Sequence, residues 1–186
     1  MSALWTIGHS TRTVEELIRL LTEFDISLLV DVRTVPRSRH NPQFNTDSLP
    51  ETLGPAGIDY RHEPKLGGLR KPRADSPNMG WRNAGFRGYA DHMQSDDFIE
   101  AADGLLESVN ERHCAVMCAE AVPWRCHRSL IGDAMTLRGV EVRHIMGPGK
   151  ATAHRMTPFA RTDGLHITYP GLVALVLAFP WDGVPF

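Results

Sequence analysis

The most chemically reactive side chains of the sequence lie in the segment MCAEAVPWRCHRS, residues 117–129. This segment brings Cys118, Glu120, Cys126 and His127 close together in the chain, with arginines beside them. A cysteine near basic groups can lose its proton and act as a nucleophile, and cysteine and histidine together can hold a metal ion. The pattern therefore indicates nucleophilic, redox or metal chemistry, with ordinary core packing as the alternative.

Cys118 is the preferred nucleophile on sequence grounds. It ends an apolar run, so we expect it at the end of a strand that faces the start of the next helix, where a thiol can have a lowered pKa. His127 or His9 could serve as its base, and Arg125 or Arg128 could bind an anionic substrate. The alternative is that Cys118 is a small buried residue that completes a core strand.

The stretch Cys126-His127-Arg128 lies at or near the start of a predicted helix. Backbone amides at such a position favour an anion, and the neighbouring arginines would add to this preference. His127 could act as an acid or a base near neutral pH. The alternative is a helix cap and a solvated first turn.

A metal site and a redox pair are further alternatives for the same residues. Cys118, Cys126 and His127, with His9 or His62, could supply metal ligands, but their spacing matches no Cys-x2-Cys zinc pattern. Cys118 and Cys126 could also form a redox pair if the intervening loop closes. The sequence implies no particular cofactor.

Two carboxylates offer a different chemistry. Asp31 or Glu120 could stabilise positive charge on a substrate, or act as nucleophile or base. The alternative for Asp31 is that Arg33 or backbone amides hold it in place. Tyr60 and His62, at the end of the following strand, could complete a pocket.

The apolar pattern predicts the elements that position these residues. Strands are expected at Leu4–Ile7, Ser27–Val32, Ile58–His62, Ala115–Cys118 and Val140–Met146, and helices at Val14–Phe24, Thr46–Leu53, Phe98–Val109 and Ser129–Arg138. Thr13 is the expected N-cap of the first helix, with Glu16 completing a capping box. Strands that are apolar throughout and alternate with helices favour a parallel sheet covered on both faces.

We therefore predict a three-layer, Rossmann-like α/β domain over residues 1–147, with a mostly parallel sheet. Ligands of such sheets bind at the carboxyl ends of the strands. Three predicted strands end in polar groups, namely Gly8-His9-Ser10, Asp31-Val32-Arg33 and Cys118-Ala119-Glu120. Their convergence on one edge is the strongest functional argument in the sequence.

Two segments fall outside this alternation. Residues 65–89 are rich in Gly, Pro and Arg and are predicted to form a long loop that could serve as a lid. Residues 148–186 are predicted to be an extension packed on the same domain. It contains the apolar run GLVALVLAFPW, which is too short to span a bilayer and is predicted to be a buried helix or strand.

Composition narrows the class of protein. The 186 residues carry a formal net charge of −2, so no polybasic surface points to nucleic acid. Three cysteines and no recognisable signal peptide favour a reducing cytoplasm and no membrane association. A rival hypothesis is a non-catalytic module that binds nucleic acid or a protein partner through Arg37, Arg39 and the loop 70–87. The sequence makes no prediction of the oligomeric state.

The chain also resembles the DUF488 family, in the order of several motifs. These are TIGHST (6–11), VDVRTVPRSRHNPQFN (30–45), IDYRHEPKLGG (58–68), GFRGYADHM (85–93), AVMCAE (115–120), CHRSLIGDAM (126–135), VRHI (142–145) and the tail TPFARTDGLHITYPG (157–171). The resemblance spans roughly residues 4–171, apart from the loop 69–84. It implies an α/β fold and a cytoplasmic bacterial protein, but no established reaction.

The leading hypothesis is an enzyme for a small anionic or nucleotide-like substrate, with its reaction class open between nucleophilic cysteine and carboxylate-assisted chemistry. The expected catalytic residues are Cys118, His127, Asp31, Glu120 and His9. Substrate binding is expected from Gly8, Ser10, Arg33, Tyr60, His62, Arg125, Cys126 and Arg128.

Overall fold

The computed structural model describes residues 2–171, which form eight strands and five α-helices. The strands are β1 (Ala3–Gly8), β2 (Leu28–Asp31), β3 (Asp59–His62), β4 (Cys114–Cys118), β5 (Glu141–Gly147), β6 (Lys150–Ala153), β7 (Arg161–Asp163) and β8 (His166–Thr168). The helices are α1 (Val14–Glu23), α2 (Leu49–Leu53), α3 (Ala84–His92), α4 (Asp96–Glu111) and α5 (Arg128–Leu137).

Six strands form one sheet in the order β3-β2-β4-β1-β5-β6. The first five are parallel, and β6 pairs antiparallel with β5. The predicted mostly parallel α/β sheet is therefore confirmed. Strands β7 and β8 form a separate antiparallel hairpin.

Two apolar cores lie on opposite faces of the sheet, as a three-layer fold requires. Leu4 and Val116 belong to the core formed with α3, α4 and α5, whereas Ile7 and Met117 belong to the core formed with α1 and α2. Because successive side chains of a strand point to opposite faces, a strand covered on both sides must be apolar throughout. This requirement explains the continuous apolar run of β4.

The strongest local prediction concerns the start of α1. The Thr13 side chain accepts a hydrogen bond from the Glu16 backbone, and the Glu16 carboxylate accepts one from the Thr13 backbone. This reciprocal pair is the predicted capping box, and it satisfies amides that the first turn leaves unpaired. The helix then buries Leu17, Leu20 and Leu21 against the sheet.

The structure differs from the sequence prediction mainly in the segment 65–89. A helix, α3, begins at Ala84 within this segment, and the Asn83 side chain caps it by accepting hydrogen bonds from two backbone amides of its first turn. The helix α2 is shorter than predicted, because it begins only at Leu49. Within residues 2–171, none of the helices has the length and apolar character needed to cross a membrane.

The C-terminal segment contributes directly to the domain as far as it is described. Strand β6 extends the main sheet, and Ile167 and Tyr169 belong to the core on the α5 face. Residues 172–186, which hold most of the apolar run that was predicted to be a buried helix or strand, lie outside the described residues.

The neighbouring strands β1 and β4 mark the position where a ligand site is expected. The connection after β1 runs through α1 to one face of the sheet, and the connection after β4 runs through α5 to the other. Such a reversal opens a crevice at the carboxyl ends of the two strands. Gly8 and Cys118 pair at this position.

Candidate functional site

A cavity of about 410 Å³ lies at the carboxyl edge of the sheet. The ends of β2 and β4, the loop before α5 and the segment 68–89 form its walls. Six of the residues predicted for the site line this cavity: Arg33, Cys118, Glu120, Arg125, Cys126 and His127. The expectation that side chains distant in sequence meet at this edge is met for these six.

Two thiols and one imidazole form a compact cluster at the base of the cavity. The Sγ atoms of Cys118 and Cys126 lie 3.9 and 3.7 Å from Nδ1 of His127. The two Sγ atoms and Nδ1 all lie within 4.8 Å of one another. Both cysteines are free thiols and almost fully buried, with 7% and 3% of their surface exposed. Cysteine and histidine at this spacing could hold a soft or borderline metal ion.

The tautomer of His127 follows from its second nitrogen. Nε2 lies 3.1 Å from the carbonyl oxygen of Val32, which can only accept a hydrogen bond. Nε2 therefore carries a proton, and Nδ1 faces the two sulfurs, where it accepts from a thiol or, in the protonated ring, donates to a thiolate. The ring also packs against the ring of Tyr89, with centroids 4.9 Å apart.

Arg128 places a buried positive charge beside this cluster. Its side chain is 1% exposed, and Nε donates to Cys126 Sγ at 3.4 Å. Nη2 donates to the carbonyl oxygen of Glu120 at 2.6 Å, and Nη1 donates to Thr6 Oγ1 at 3.4 Å. Among residues 2–171, no carboxylate forms an ion pair with Arg128. A buried guanidinium needs an anion nearby, and the Cys126 sulfur is the group positioned to be one.

The two thiols are electrostatically unequal. The pKa of Cys118 is raised, first because its S–H donates to Cys126 and then because it is buried. The pKa of Cys126 is lowered well below its usual value, chiefly because it accepts that hydrogen bond from Cys118. His127 and Arg128 lower it further, although burial opposes them. Both directions favour the thiolate form at Cys126, which is also the sulfur to which Arg128 donates.

Asp31 does not reach the cavity, although it was predicted as a catalytic residue. It is fully buried, and its carboxylate accepts hydrogen bonds from the backbone, Nε and Nη2 of Arg33 and from the hydroxyl of Tyr60. Burial and the Asp31 charge raise the pKa of Tyr60. The saturated carboxylate fixes Arg33, as the alternative interpretation of the sequence expected.

His9 occupies a similar supporting position. Nε2 accepts from Arg33 Nη1 at 3.3 Å, and Nδ1 donates to the Ser10 carbonyl at 2.9 Å. Burial lowers the pKa of His9 to about 4, so the ring is neutral at physiological pH. His62 donates through Nε2 to the Arg33 carbonyl at 2.8 Å. Arg33 Nη2 also donates to the Phe44 carbonyl at 2.6 Å, so one of the five guanidinium N–H groups, on Nη1, has no partner among residues 2–171.

Gly8 and Ser10 shape the backbone of the site. A Cβ atom on Gly8 would lie 1.8 Å from the Glu120 carbonyl oxygen, so only glycine allows this close approach. Ser10 has a φ of 48°, and its amide donates to the Ala119 carbonyl at 2.9 Å. Together these contacts join the ends of β1 and β4.

The mouth of the cavity holds the groups that remain free to meet a ligand. The side chains of Arg125 and Glu120 are exposed and form no hydrogen bond or ion pair within the described part of the chain. Arg37 and Arg73, which belong to the rival nucleic-acid hypothesis, instead form surface ion pairs with Asp47 and Asp75. That hypothesis stays a prediction.

Sequence reasoning missed several contributors. Thr34, Val35, Leu69, Asn83 and Gly85 line the cavity, and Thr6 binds Arg128. Most of them could not be predicted from the sequence, because they lie in loops whose course depends on tertiary contacts. No sequence pattern predicts the left-handed backbone of Leu69, which has a φ of 56°.

Comparison with known proteins adds one result. No curated protein and no solved structure matches this chain. A family model does match residues 13–135, which include β2, β3, β4 and the segment with Cys118, Cys126 and His127. The family carries the description "Domain of unknown function DUF488". Because the match covers most of the chain and agrees with the motifs quoted above, the protein belongs to the DUF488 family.

Proposed function

We propose that this protein is an enzyme that binds a small anionic or nucleotide-like substrate in the cavity and attacks it with the thiolate of Cys126. The observation that carries the proposal is the buried Arg128, which donates to Cys126 Sγ. A buried cation beside a thiol favours the thiolate, which is the nucleophilic form of cysteine.

The roles of the two cysteines differ from the first expectation. The sequence favoured Cys118 as nucleophile because it ends a strand. We propose Cys126 instead, because it accepts hydrogen bonds from Arg128 and from Cys118 and lies one residue before the N-cap of α5. Cys118 then serves as the proton donor that stabilises the resting thiolate.

The remaining groups support binding of an anion at the mouth. Arg125 is the exposed cation on the cavity wall, whereas the charge of Arg33 is largely compensated by Asp31. Glu120, exposed on the cavity wall, would exchange protons with the bound substrate, whereas His127 supports the two sulfurs through Nδ1. In the proposed step, a lone pair of the Cys126 sulfur forms a bond to an electrophilic atom. The bond to the leaving group breaks, and that group departs with the electron pair while Arg125 stabilises its charge.

Two alkylating agents of the same size test this proposal. Iodoacetate is an anion and iodoacetamide is neutral, and each reacts with a thiolate by displacement of iodide. We expect both to label Cys126 in the folded protein at pH 7, and iodoacetate to gain an advantage from Arg125. The substitution Arg125→Gln should lower the ratio of the iodoacetate rate to the iodoacetamide rate by about 2- to 5-fold, the range of an exposed ion pair. Peptide mass spectrometry would give the rate at each cysteine.

Cys114 provides the internal control. It is buried in the same strand as Cys118, and burial raises its pKa to about 11. The substitution Cys114→Ser should leave the labelling of Cys126 unchanged. A Cys126 that reacts only after unfolding would refute the nucleophile, and a rate ratio insensitive to Arg125→Gln would refute the anion site.

A further inference from the structure

The spacing of the three ligand atoms in the cluster matches the coordination shell of a small metal ion. Zinc binds sulfur at about 2.3 Å and histidine nitrogen at about 2.0–2.1 Å, so the edges of its tetrahedron measure roughly 3.5–3.8 Å. The observed distances from His127 Nδ1 to the sulfurs of Cys118 and Cys126 are 3.9 and 3.7 Å. Binding an ion would shorten these two edges by a few tenths of an ångström, and the two sulfurs, which lie within 4.8 Å of each other, would approach by about 1 Å at most.

The surroundings orient all three groups toward a common centre. His127 donates from Nε2 to the Val32 carbonyl, which directs the Nδ1 lone pair at the sulfurs. A hydrogen bond from the second ring nitrogen to a carbonyl is the usual support of a metal-binding histidine. Arg128 donates to Cys126 Sγ, and such a bond stabilises a thiolate ligand. The ligands are held by the fold before any ion arrives.

The geometry points to a site for one thiophilic divalent ion, of the zinc type, formed by Cys118 Sγ, Cys126 Sγ and His127 Nδ1. Two sulfurs and one imidazole select zinc-like ions over magnesium or calcium, which prefer oxygen. Among the His, Cys, Asp and Glu side chains of residues 2–171, three would hold the ion, and all three residues line the cavity. The fourth position therefore faces the cavity, where water or an anionic ligand can occupy it.

This inference rests on the proposed function, because it assigns a regulation to the same site. Binding of the ion releases the thiol protons of the cluster to solvent and turns both sulfurs into thiolate ligands. The lone pair that would attack the substrate then forms the bond from Cys126 to the metal. The metal-bound protein is thus the inactive form, and loss of the ion frees the nucleophile.

Cobalt(II) offers a direct test, because it replaces zinc in tetrahedral sites and absorbs visible and near-ultraviolet light when thiolates bind it. The full chain would be treated with a chelator under reducing conditions, desalted and titrated with Co²⁺. We expect one equivalent to produce visible bands and a sulfur-to-cobalt charge-transfer band, and one equivalent of Zn²⁺ to remove them. Cys126→Ser and Cys118→Ser should each weaken binding by at least about 100-fold, whereas Cys114→Ser should bind as the parent does.

Circular dichroism of each variant would show that it is folded, and His127→Ala gives an independent test if a serine variant is not. Co²⁺ binding without a charge-transfer band, or binding unaffected by Cys126→Ser and His127→Ala, would overturn the site. Saturating Zn²⁺ should reduce iodoacetamide labelling of Cys126 by at least about 10-fold, and a chelator should restore it. Labelling that persists with zinc bound would overturn the regulation.

The two proposals fail in different ways. A protein that binds no metal but still alkylates rapidly at Cys126 would refute the metal site and keep the enzyme. A protein that binds Co²⁺ through both thiolates but does not alkylate in its metal-free form would refute the nucleophile and keep the metal site.

Discussion

At the scale of single residues, the site depends on a position that has no side chain. Gly8 ends β1 beside Cys118, and its Cα faces the Glu120 carbonyl and the Arg128 guanidinium. The same carbonyl accepts the shortest hydrogen bond of Arg128. The approach of two backbones thus creates the pocket in which a buried arginine meets the Cys126 sulfur.

The substitution Gly8→Ala should therefore be severe. Its Cβ would meet a backbone oxygen, which cannot rotate away as a flexible side chain could. We expect a loss of about 3 kcal/mol in the free energy of unfolding, the upper end of the usual cost of overpacking, because a backbone must move. Urea unfolding followed by circular dichroism would measure it. Gly104→Ala is the matched control, because it lies within α4, where alanine is favoured over glycine, and a Cβ there meets nothing within 4 Å.

The sequence predicted which residues would lie together at the carboxyl edge of the sheet, but it did not predict the role of each residue. Strand ends and helix starts follow from the apolar pattern, so Arg33, Cys118 and Cys126 could be placed at one edge. The direction of a side chain depends on its partners in three dimensions. The buried contact of Arg128 with a thiol could be read only from the structure, and only the structure shows that Asp31 contacts Arg33 rather than the cavity.

At the scale of secondary structure elements, α3 shows why a helix can escape prediction. Its sequence AGFRGYADH includes two glycines, which disfavour helix by about 1 kcal/mol each. Tertiary contacts compensate: Tyr89 is buried in the core, and its hydroxyl donates to the Leu66 carbonyl at 2.8 Å. Gly88 is required because a Cβ there would meet the Arg70 backbone. Packing, rather than propensity, stabilises this helix.

The loop that precedes α3 is anchored by one buried carboxylate. Asp91 accepts hydrogen bonds from Ser76 Oγ, Asn78 Nδ2 and the Arg73 amide, at 2.6, 2.7 and 2.8 Å. Asn78 in turn accepts from the Tyr169 amide, which ties the loop to the C-terminal segment. That this segment acts as a lid stays a prediction. The structure shows that Asp91 holds it in place through hydrogen bonds.

Asp91→Asn should loosen this anchor. All three partners donate to Asp91, so an amide nitrogen in place of one oxygen leaves a donor facing a donor. We expect a loss of about 1–3 kcal/mol in stability and faster trypsin cleavage after Arg70 and Arg73. Asp75→Asn, on the exposed Asp75 of the same loop, should change neither the stability nor the cleavage rate appreciably. Equal cleavage in the two variants would contradict the anchoring role of Asp91.

At the scale of the whole molecule, a chain of hydrogen bonds connects the C-terminal segment with the site. The fully buried Asp133 accepts from His154 Nε2 at 2.8 Å, and His154 Nδ1 accepts from His144 Nε2 at 3.1 Å. His144 Nδ1 accepts from Thr6 Oγ1 at 2.8 Å, and that oxygen accepts from Arg128. Burial lowers the pKa of His144 to about 4, so its ring is neutral at physiological pH and presents one acceptor nitrogen to this chain of hydrogen bonds.

The two most deeply placed histidines should therefore make the whole molecule sensitive to mild acid. Burial lowers the pKa of His9 and of His144 to about 4, and the neighbouring His154 and Arg128 lower that of His144 further; Cys126 is the one nearby group that raises it. An unfolded histidine takes up a proton near pH 6.5. Between about pH 6.5 and 4 the unfolded chain binds more protons than the folded one, so stability falls as the pH falls.

Urea unfolding at pH 7 and pH 5, above most carboxylate titration, would measure this loss. We expect about 2 kcal/mol for each of the two histidines over that interval. In His144→Gln the loss should shrink by about half, because glutamine has no proton to take up in this range. His113→Gln, at an exposed histidine, should retain the full loss. If His144→Gln showed the same pH dependence as the parent, the buried neutral ring of His144 would not contribute to the acid sensitivity of the fold.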